Sequence, residues 1–439
     1  MNIIPKRIRT ARTLWLALGL CLTLPVNAAP ADTDGLRLDK VVLVMRHGIR
    51  PPTDSAALQA WSAHTWPTFN TADGLLTAHG YTATVLLGHW QRQYLDSLGL
   101  FAVGQCPGAE DTYVWASPSS RTKATGAALL EGMFPGCGIT VHHEKTSNDR
   151  LFHSIESGLA PLDPERTRSA MLAAMGGSPK VAQQRYAAAV LRMQTVASVP
   201  DTCPKGNNAK ACTLSNLPWE LKTKGTSVKL SGPLGVGAAM SESFRMQYAE
   251  GLPLDEVAFG QGRNAAAVAR LMQLRSAKYA LNNHVPYIAQ RGGSQLLGQV
   301  LLGLEENATS QSPGGPPPTK WLAYIGHDSN IAQLRTLLGF NWKIAEYPEN
   351  DAAPGGTLLF ERWVDVHGHH FVRLAYLAQS MDQLRQLTPL DVSHPPYREP
   401  YAGLPGARHS AMIPLETFVS TMNKRIDTTA TEPQQYVDQ

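Results

Sequence analysis

The sequence predicts an α/β fold, a sheet of buried strands flanked by helices, with a smaller and mainly helical stretch inserted in it. Three observations lead there. A short β-branched or aromatic run, a polar turn and a helical pattern follow one another three times along the chain. Between the second and third occurrence, over residues 151–285, apolar residues recur at three- and four-residue spacing instead. And 439 residues at 43% hydrophobic and 17% charged can bury a substantial core, in one large domain or two. Disorder is excluded, because it needs low hydrophobicity and high net charge. A polytopic membrane protein is excluded too, since one segment alone, at the extreme N-terminus, approaches the ~18 apolar residues of a span.

That segment reads as a secretory signal peptide over residues 1–28. Lys6, Arg7, Arg9 and Arg12 form its basic start, Leu14 to Val26 its apolar run, and Val26-Asn27-Ala28 a cleavage site ahead of Ala29. Cleavage removes four basic residues and no acidic one, so the formal charge of +4 falls to zero with 35 residues of each sign. Nucleic acid then loses its compositional support as a partner, and no stable membrane association is expected. Cys21 leaves with the signal. Cys106, Cys137, Cys203 and Cys212 remain, and an even count in an exported chain argues for two disulfides in an oxidising compartment, periplasmic or extracellular. Three pairings are possible, and sequence order favours Cys106–Cys137 with Cys203–Cys212. No pair has the close spacing of a zinc site.

The first strand is Val41 to Met45, followed by Arg46-His47-Gly48. The second is Tyr113 to Ala116, followed by a Ser-Pro-Ser-Ser turn, Arg121 and a helical stretch from Ala124 to Met133. The third is Trp321 to Ile325, followed by Gly326-His327-Asp328-Ser329 and a periodic stretch with Ile331, Leu334 and Leu338. Continuous apolar runs of this kind, bounded by helices, suit strands buried on both faces. Ligands of open α/β sheets bind beyond the carboxyl ends of the strands, which is where each polar cluster lies. In the inserted stretch, Val181 to Val196 and Ala265 to Leu281 carry helical periodicity. Cys203 to Cys212 reads as a loop between helical segments. Residues 312–318, rich in Pro and Gly, read as a surface loop. Thr357 to Val366 and His369 to Leu377 flank a turn at His367-Gly368 and predict a β-hairpin.

Arg46-His47-Gly48-Ile49-Arg50-Pro51-Pro52 places two guanidiniums around one imidazole at a strand end. A guanidinium presents a planar fork of donors that matches phosphate oxygens, so the pair suits a tetrahedral oxyanion. Gly48 lets the backbone turn close to a ligand. The flanking cations are expected to depress the pKa of His47 and keep it neutral and nucleophilic below neutral pH. At the third strand end, His327-Asp328 opens the helical stretch. The plain role for Asp328 there is a helix N-cap. By position, Arg121 could be a solvated helix residue. The His367-Gly368-His369-His370 turn lacks matching carboxylates or cysteines for a metal ion, and no Gly-rich phosphate loop, H-E-x-x-H or G-x-S-x-G occurs.

R-H-G-x-R-x-P with a distant H-D resembles the histidine acid phosphatases, branch 2 of the histidine phosphatase superfamily, and within them the bacterial periplasmic phytase and glucose-1-phosphatase group. The resemblance covers nearly all of the chain beyond the signal. It implies a phosphoglycerate-mutase-like α/β sheet domain, residues 29–150 and 286–439, with a smaller, mainly helical inserted domain, residues 151–285, lining the substrate cleft. It implies an acid phosphomonoesterase, here expected to be monomeric, with a small phosphorylated substrate and no metal or other cofactor. By the match, His47 attacks phosphorus and becomes a phosphohistidine, while Arg46, Arg50, Arg121 and His327 hold the phosphate. Asp328 protonates the leaving oxygen, and Thr53 falls where phosphate is often contacted. Glu242 falls at an acidic residue near the substrate of enteric phytases, although an exposed helical Glu fits the pattern equally. Asn148-Asp149-Arg150-Leu151-Phe152 resembles the family's D-P-L-F stretch.

The departures divide the substrate. Asp54 stands where enteric phytases have a Lys, and Ser117 where they have an Asp ahead of the third Arg. Gly292 stands at a substrate-binding Arg, with Arg291 one position off. Gly48 is the phytase form of the first motif, where glucose-1-phosphatases often carry Asn, yet Ser329 is the glucose-1-phosphatase form of the second. Cys106/Cys137 and Cys203/Cys212 match two family bridges; a third is lost at both ends, at Leu404 and Ile413, and a fourth at Ala160. The expected activity includes phytate. A sugar phosphatase of the glucose-1-phosphatase type is the alternative, and a non-catalytic binding protein for phosphorylated ligands is the rival from another class.

Overall fold

A computed structural model describes residues 35–108, 110–201, 203, 212–225, 227–305, 313–403 and 412–436, together with Met1. The rest of the expected signal peptide, and Leu404, lie outside the described residues. The chain runs β1 (Arg37–Arg46), α1 (Ser55–Gln59), α2 (Ala78–Ser97), β2 (Thr112–Ala116), α3 (Ser120–Met133) and β3 (Val141–His143). Then come α4 (Pro164–Met175), α5 (Pro179–Ala197), β4 (Glu220–Lys224), β5 (Ser227–Ser231), α6 (Pro233–Ala249), α7 (Ala265–Leu271) and α8 (Gln273–Ala280). After α9 (Pro286–Glu305) follow β6 (Trp321–Gly326), α10 (Asp328–Leu338), β7 (Thr357–Val364) and β8 (His370–Ala378). The chain ends in α11 (Met381–Gln386), β9 (Tyr397–Pro400), β10 (Met412–Pro414) and α12 (Leu415–Asn423).

Among the described residues, eight strands form one mixed sheet in the order β10-β8-β7-β1-β6-β2-β3, with β9 also pairing β8. The half that holds the three predicted strands is parallel: β6 lies between β1 and β2, and β2 pairs β3. The other half is antiparallel and contains the predicted hairpin as β7 and β8. Val41 to Met45 is continuously apolar because both faces are covered. Val42 and Val44 pack with Leu322 and Tyr324 of β6 and with Leu297, Leu301 and Ile331 of α9 and α10. Val41, Leu43 and Met45 face the other way, with Ala323 and Ile325, against Leu87 of α2 and Leu129 of α3. All five β1 residues are fully buried, each stabilising by at most roughly 1.5–3 kcal/mol relative to exposure.

The inserted stretch holds α4 to α8 and the small β4–β5 hairpin, with α7 and α8 abutting at Met272. The cysteines pair in sequence order, Cys106–Cys137 and Cys203–Cys212, each with Cα atoms 5.5 Å apart. Ala160 and Ile413, at the positions of the missing bridges, are buried instead. Among the described residues no helix is long and apolar enough to cross a membrane.

Candidate active site

Parallel pairing brings the motifs together. β1 and β6 run side by side with Arg46 opposite Gly326, so the next residues, His47 and His327, leave the sheet together with ring centroids 5.7 Å apart. The His47 amide donates to the Gly326 carbonyl at 3.0 Å, and the Ser117 amide, just past β2, donates to the Ile325 carbonyl at 2.9 Å. Three strand ends meet.

His47 is 1% exposed. Its Nδ1 lies 2.9 Å from the Gly48 carbonyl oxygen. A carbonyl only accepts, so Nδ1 carries the proton and Nε2 keeps its lone pair. Burial first, then the charges of Arg46, Arg50, Arg121 and His327, hold the imidazole well below its ordinary pKa. The sequence predicts depression by the cations; burial is the larger cause.

Arg46 is fully buried, donates from Nη1 to the Ala352 carbonyl at 2.6 Å, and pairs through Nη2 with Glu242. Arg50 donates to the Pro51 carbonyl at 2.8 Å, and burial lowers its pKa to about 10. Among the described residues it makes no ion pair, and its buried Nε has no partner, so most of its donors are free for a ligand. Arg121, at the start of α3, places Nη2 3.3 Å from His327 Nδ1. A guanidinium only donates, so Nδ1 accepts and Nε2–H of His327 donates to Ser117 Oγ at 3.1 Å. Ser117 in turn donates to Asp149 Oδ2 at 2.6 Å, and Asp149 Oδ1 accepts from the Phe152 amide at 3.0 Å. This chain of bonds sets the tautomer of His327, whose pKa falls to about 3, mainly by burial and then by Arg121.

Asp328 is not the cap of α10; that position belongs to His327. Its Oδ1 accepts from the Ser329 amide at 3.0 Å, and Oδ2 lies 2.8 Å from Arg275 Nη2 and 3.4 Å from Arg46 Nη2. Burial alone would raise this carboxyl, but Arg46 and Arg275 hold it well below the usual carboxylate range in the free site. Glu242 on α6 is buried rather than exposed, and it pairs with Arg46, Arg245 and Arg275. Arg245 and Arg275 also meet Asp351. Three guanidiniums and three carboxylates, Asp328 the partly exposed one, thus form one largely buried network. Ser117 and Asp149 entered the sequence analysis only as alignment markers, and Arg245, Arg275 and Asp351 did not enter it. The signal that could have found them is a charged residue inside an otherwise apolar helix, such as Arg245 between Phe244 and Met246, which needs a buried partner.

Thr53 is exposed and, with Arg50, Asp54 and Glu242, lines a cavity of about 260 Å³. Asp54 caps α1, accepting from the Ala57 amide at 2.8 Å. Arg291 turns away to Asp427 at 2.9 Å and Thr429 at 2.8 Å, so it does not stand in for an Arg at Gly292. In the hairpin, His369 and His370 do meet carboxylates, Asp365 and Asp39, contrary to the sequence reading. Among the described residues, though, no group of three His, Cys, Asp or Glu is placed to hold a metal ion. A larger cavity of about 730 Å³ between α5 and α8 contains none of the site residues.

The chain is 32% identical to phytase AppA of Escherichia coli over 93% of its own length and 96% of that protein. It is 29% identical to the glucose-1-phosphatase of Providencia rettgeri, over 88% and 91%. The crystal structure of the Klebsiella sp. ASR1 phytase superimposes with a TM-score of 0.81 at 33% identity, over 92% of this chain and 99% of that one. The family description "Histidine phosphatase superfamily (branch 2)" matches residues 37–377. That stretch runs from the start of β1 almost to the end of β8 and includes every residue of the site, and the chain belongs to this family.

Proposed function

We propose that the chain is an acid phosphomonoesterase that works through a phosphohistidine on His47, with phytate among its substrates. It acts as a monomer in an oxidising compartment, the periplasm or outside the cell. The observation that carries the reading is the state of His47: Nδ1 is tied to the Gly48 carbonyl, and the bare Nε2 stands among Arg46, Arg50, Arg121 and His327. Nε2 attacks phosphorus in line, the N–P bond forming as the P–O ester bond breaks, and Asp328 gives its proton to the departing alkoxide. Water then attacks the phosphohistidine. The N–P electrons return to the imidazole, and the Asp328 carboxylate takes the proton of the water.

The phosphate dianion offsets the guanidiniums that keep Asp328 ionised in the free site, so the carboxyl rises on binding and can hold the proton it must give. Activity falls at high pH as Asp328 loses that proton and at low pH as His47 gains one. Burial delays the second event, and an acid optimum follows. The residue 151–285 stretch supplies Gly235, Ala239 and Glu242 of α6 to the cavity beside Arg50, which supports its role as the wall of the cleft.

Acid quenching during turnover should trap a labelled phosphoenzyme in the wild type and none in His47→Ala. Label on the variant would remove His47 as nucleophile. Phosphate release from p-nitrophenyl phosphate with EDTA present separates this reading from a non-catalytic binding protein. Ser329 and the similarity to a glucose-1-phosphatase favour the second reading, a sugar phosphatase. Good cleavage of glucose 1-phosphate with none of phytate would select it.

A further inference from the structure

The cavity beside Arg50 does not end the cleft. A second cavity of about 300 Å³, lined among others by Lys229, Leu234, Gly235, Lys278 and Asn282, shares Gly235 with it. A Cβ built on Gly235 meets nothing within 4 Å, so the first turn of α6 is an open shelf between the two spaces. Lys278 lies on α8 three residues after Arg275, hence on the same side of the helix, and its charge is in electrostatic range of Asp328, Arg275 and Glu242. Lys278 and Lys229 are both exposed, and among the described residues neither side chain makes a hydrogen bond or ion pair. Every carboxylate of the buried network is already taken by an arginine.

We propose that Lys278, assisted by Lys229, forms a second anion subsite of the cleft, which holds one phosphate of a polyphosphorylated ring while another is attacked by His47. The proposal rests on the phosphatase reading above and names the substrate class it prefers. Arg46, Arg50, Arg121 and His327 converge on one phosphate and leave nothing for a second. A ring with a single phosphate offers Lys278 no partner; a ring with several does. An ammonium on a flexible stem is a point charge with rotatable donors, which suits a phosphate whose place changes with the orientation of the ring. Asp54, which lines only the first cavity and caps its own helix, cannot do this.

The test uses myo-inositol hexakissulfate, a polyanionic ring that is not hydrolysed as a phosphate ester, as inhibitor of p-nitrophenyl phosphate turnover. Its inhibition constant should rise about tenfold in Lys278→Ala and further in the double variant with Lys229→Ala, while Lys278→Arg stays within about threefold of wild type. The KM for phytate should rise in parallel, and the KM for glucose 1-phosphate should move less than about twofold. Added salt should weaken inhibition of the wild type more than of the double variant. The readout is the inhibition constant and KM rather than kcat, because a charge near Asp328 alters kcat for every substrate. An unchanged inhibition constant, or an equal rise in KM for the monophosphates, overturns the subsite. Wild type that binds the hexakissulfate through Lys278 but leaves phytate uncut would keep the subsite and sink the phytase reading alone.

Discussion

At the residue scale, each group of the site is set by those it touches, and changing one of them should have its own signature. Asp328→Asn keeps the shape but cannot give a proton. Phosphoenzyme formation should slow by roughly 10²–10³-fold for sugar and inositol phosphates and by far less for p-nitrophenyl phosphate, whose phenolate leaves without help. Equal losses on both would end the general-acid role. Ser117→Ala cuts the path from His327 to Asp149 and leaves a buried imidazole N–H without its acceptor. Inhibition by inorganic phosphate should weaken several-fold, with the low-pH limb of kcat/KM displaced, and Ser117→Asp combined with Asp149→Asn should restore both. A displaced profile that the double variant does not restore would reduce Ser117 to a packing residue. Arg46, His47, Arg50, His327 and Asp328 were legible because each motif is contiguous and follows a strand. Asp149, Arg245, Arg275 and Asp351 were not, because their meaning lies in partners that only folding brings near.

At the element scale, the layers meet closely enough for single methyl groups to matter. α2 and α3 pack backbone to backbone: a Cβ on Gly88 would lie 2.5 Å from the Leu129 carbonyl, and one on Gly132 would press into the backbone at Val85. Gly298 in α9 has nothing within 4 Å. Gly132→Ala should therefore lower stability by about 1–3 kcal/mol, while Gly298→Ala raises it by up to about 1 kcal/mol, both measured by urea unfolding. Matching effects at the two glycines would show that helix propensity, not contact, governs. β1, β2, β6 and the β7–β8 hairpin were readable as runs of apolar or alternating residues. β3, β9 and β10 have three or four residues each, too few to carry a period, and β4 is almost wholly exposed, so no apolar face marks it. These short or exposed strands, unlike the β7–β8 hairpin, stayed hidden for that reason.

At the scale of the whole molecule, the buried ionisable groups tie stability to pH. His47 and His327 are held below the unfolded value of about 6.5, and Glu242, Asp328 and Glu361 below their unfolded values near 4. In every case the unfolded chain binds protons that the folded chain refuses. Through these groups stability is highest above about pH 6.5, falls as the unfolded histidines charge, and falls again once the unfolded carboxylates protonate, the second fall being opposed by Asp149, Glu250 and Glu346, whose pKa values burial raises. Each proton contributes a slope of at most about 1.4 kcal/mol per pH unit. Urea midpoints should drop from pH 7 to 5 and drop further to pH 3.5, and His327→Gln should flatten the first interval. A flat response there would show that His327 is charged in the fold. The order of strands also sets a clock. β6 fits between β1 and β2, yet it is made long after both, from Trp321 onward. A chain still emerging carries Arg46 at the end of β1, His47 and Arg50 just past it and Arg121 at the start of α3, while His327 and Asp328 are still to come. Inserting the late strand sets His327 beside His47 and Asp328 beside Arg46 in one event, so under the proposed mechanism a chain that lacks it holds the nucleophile without its acid.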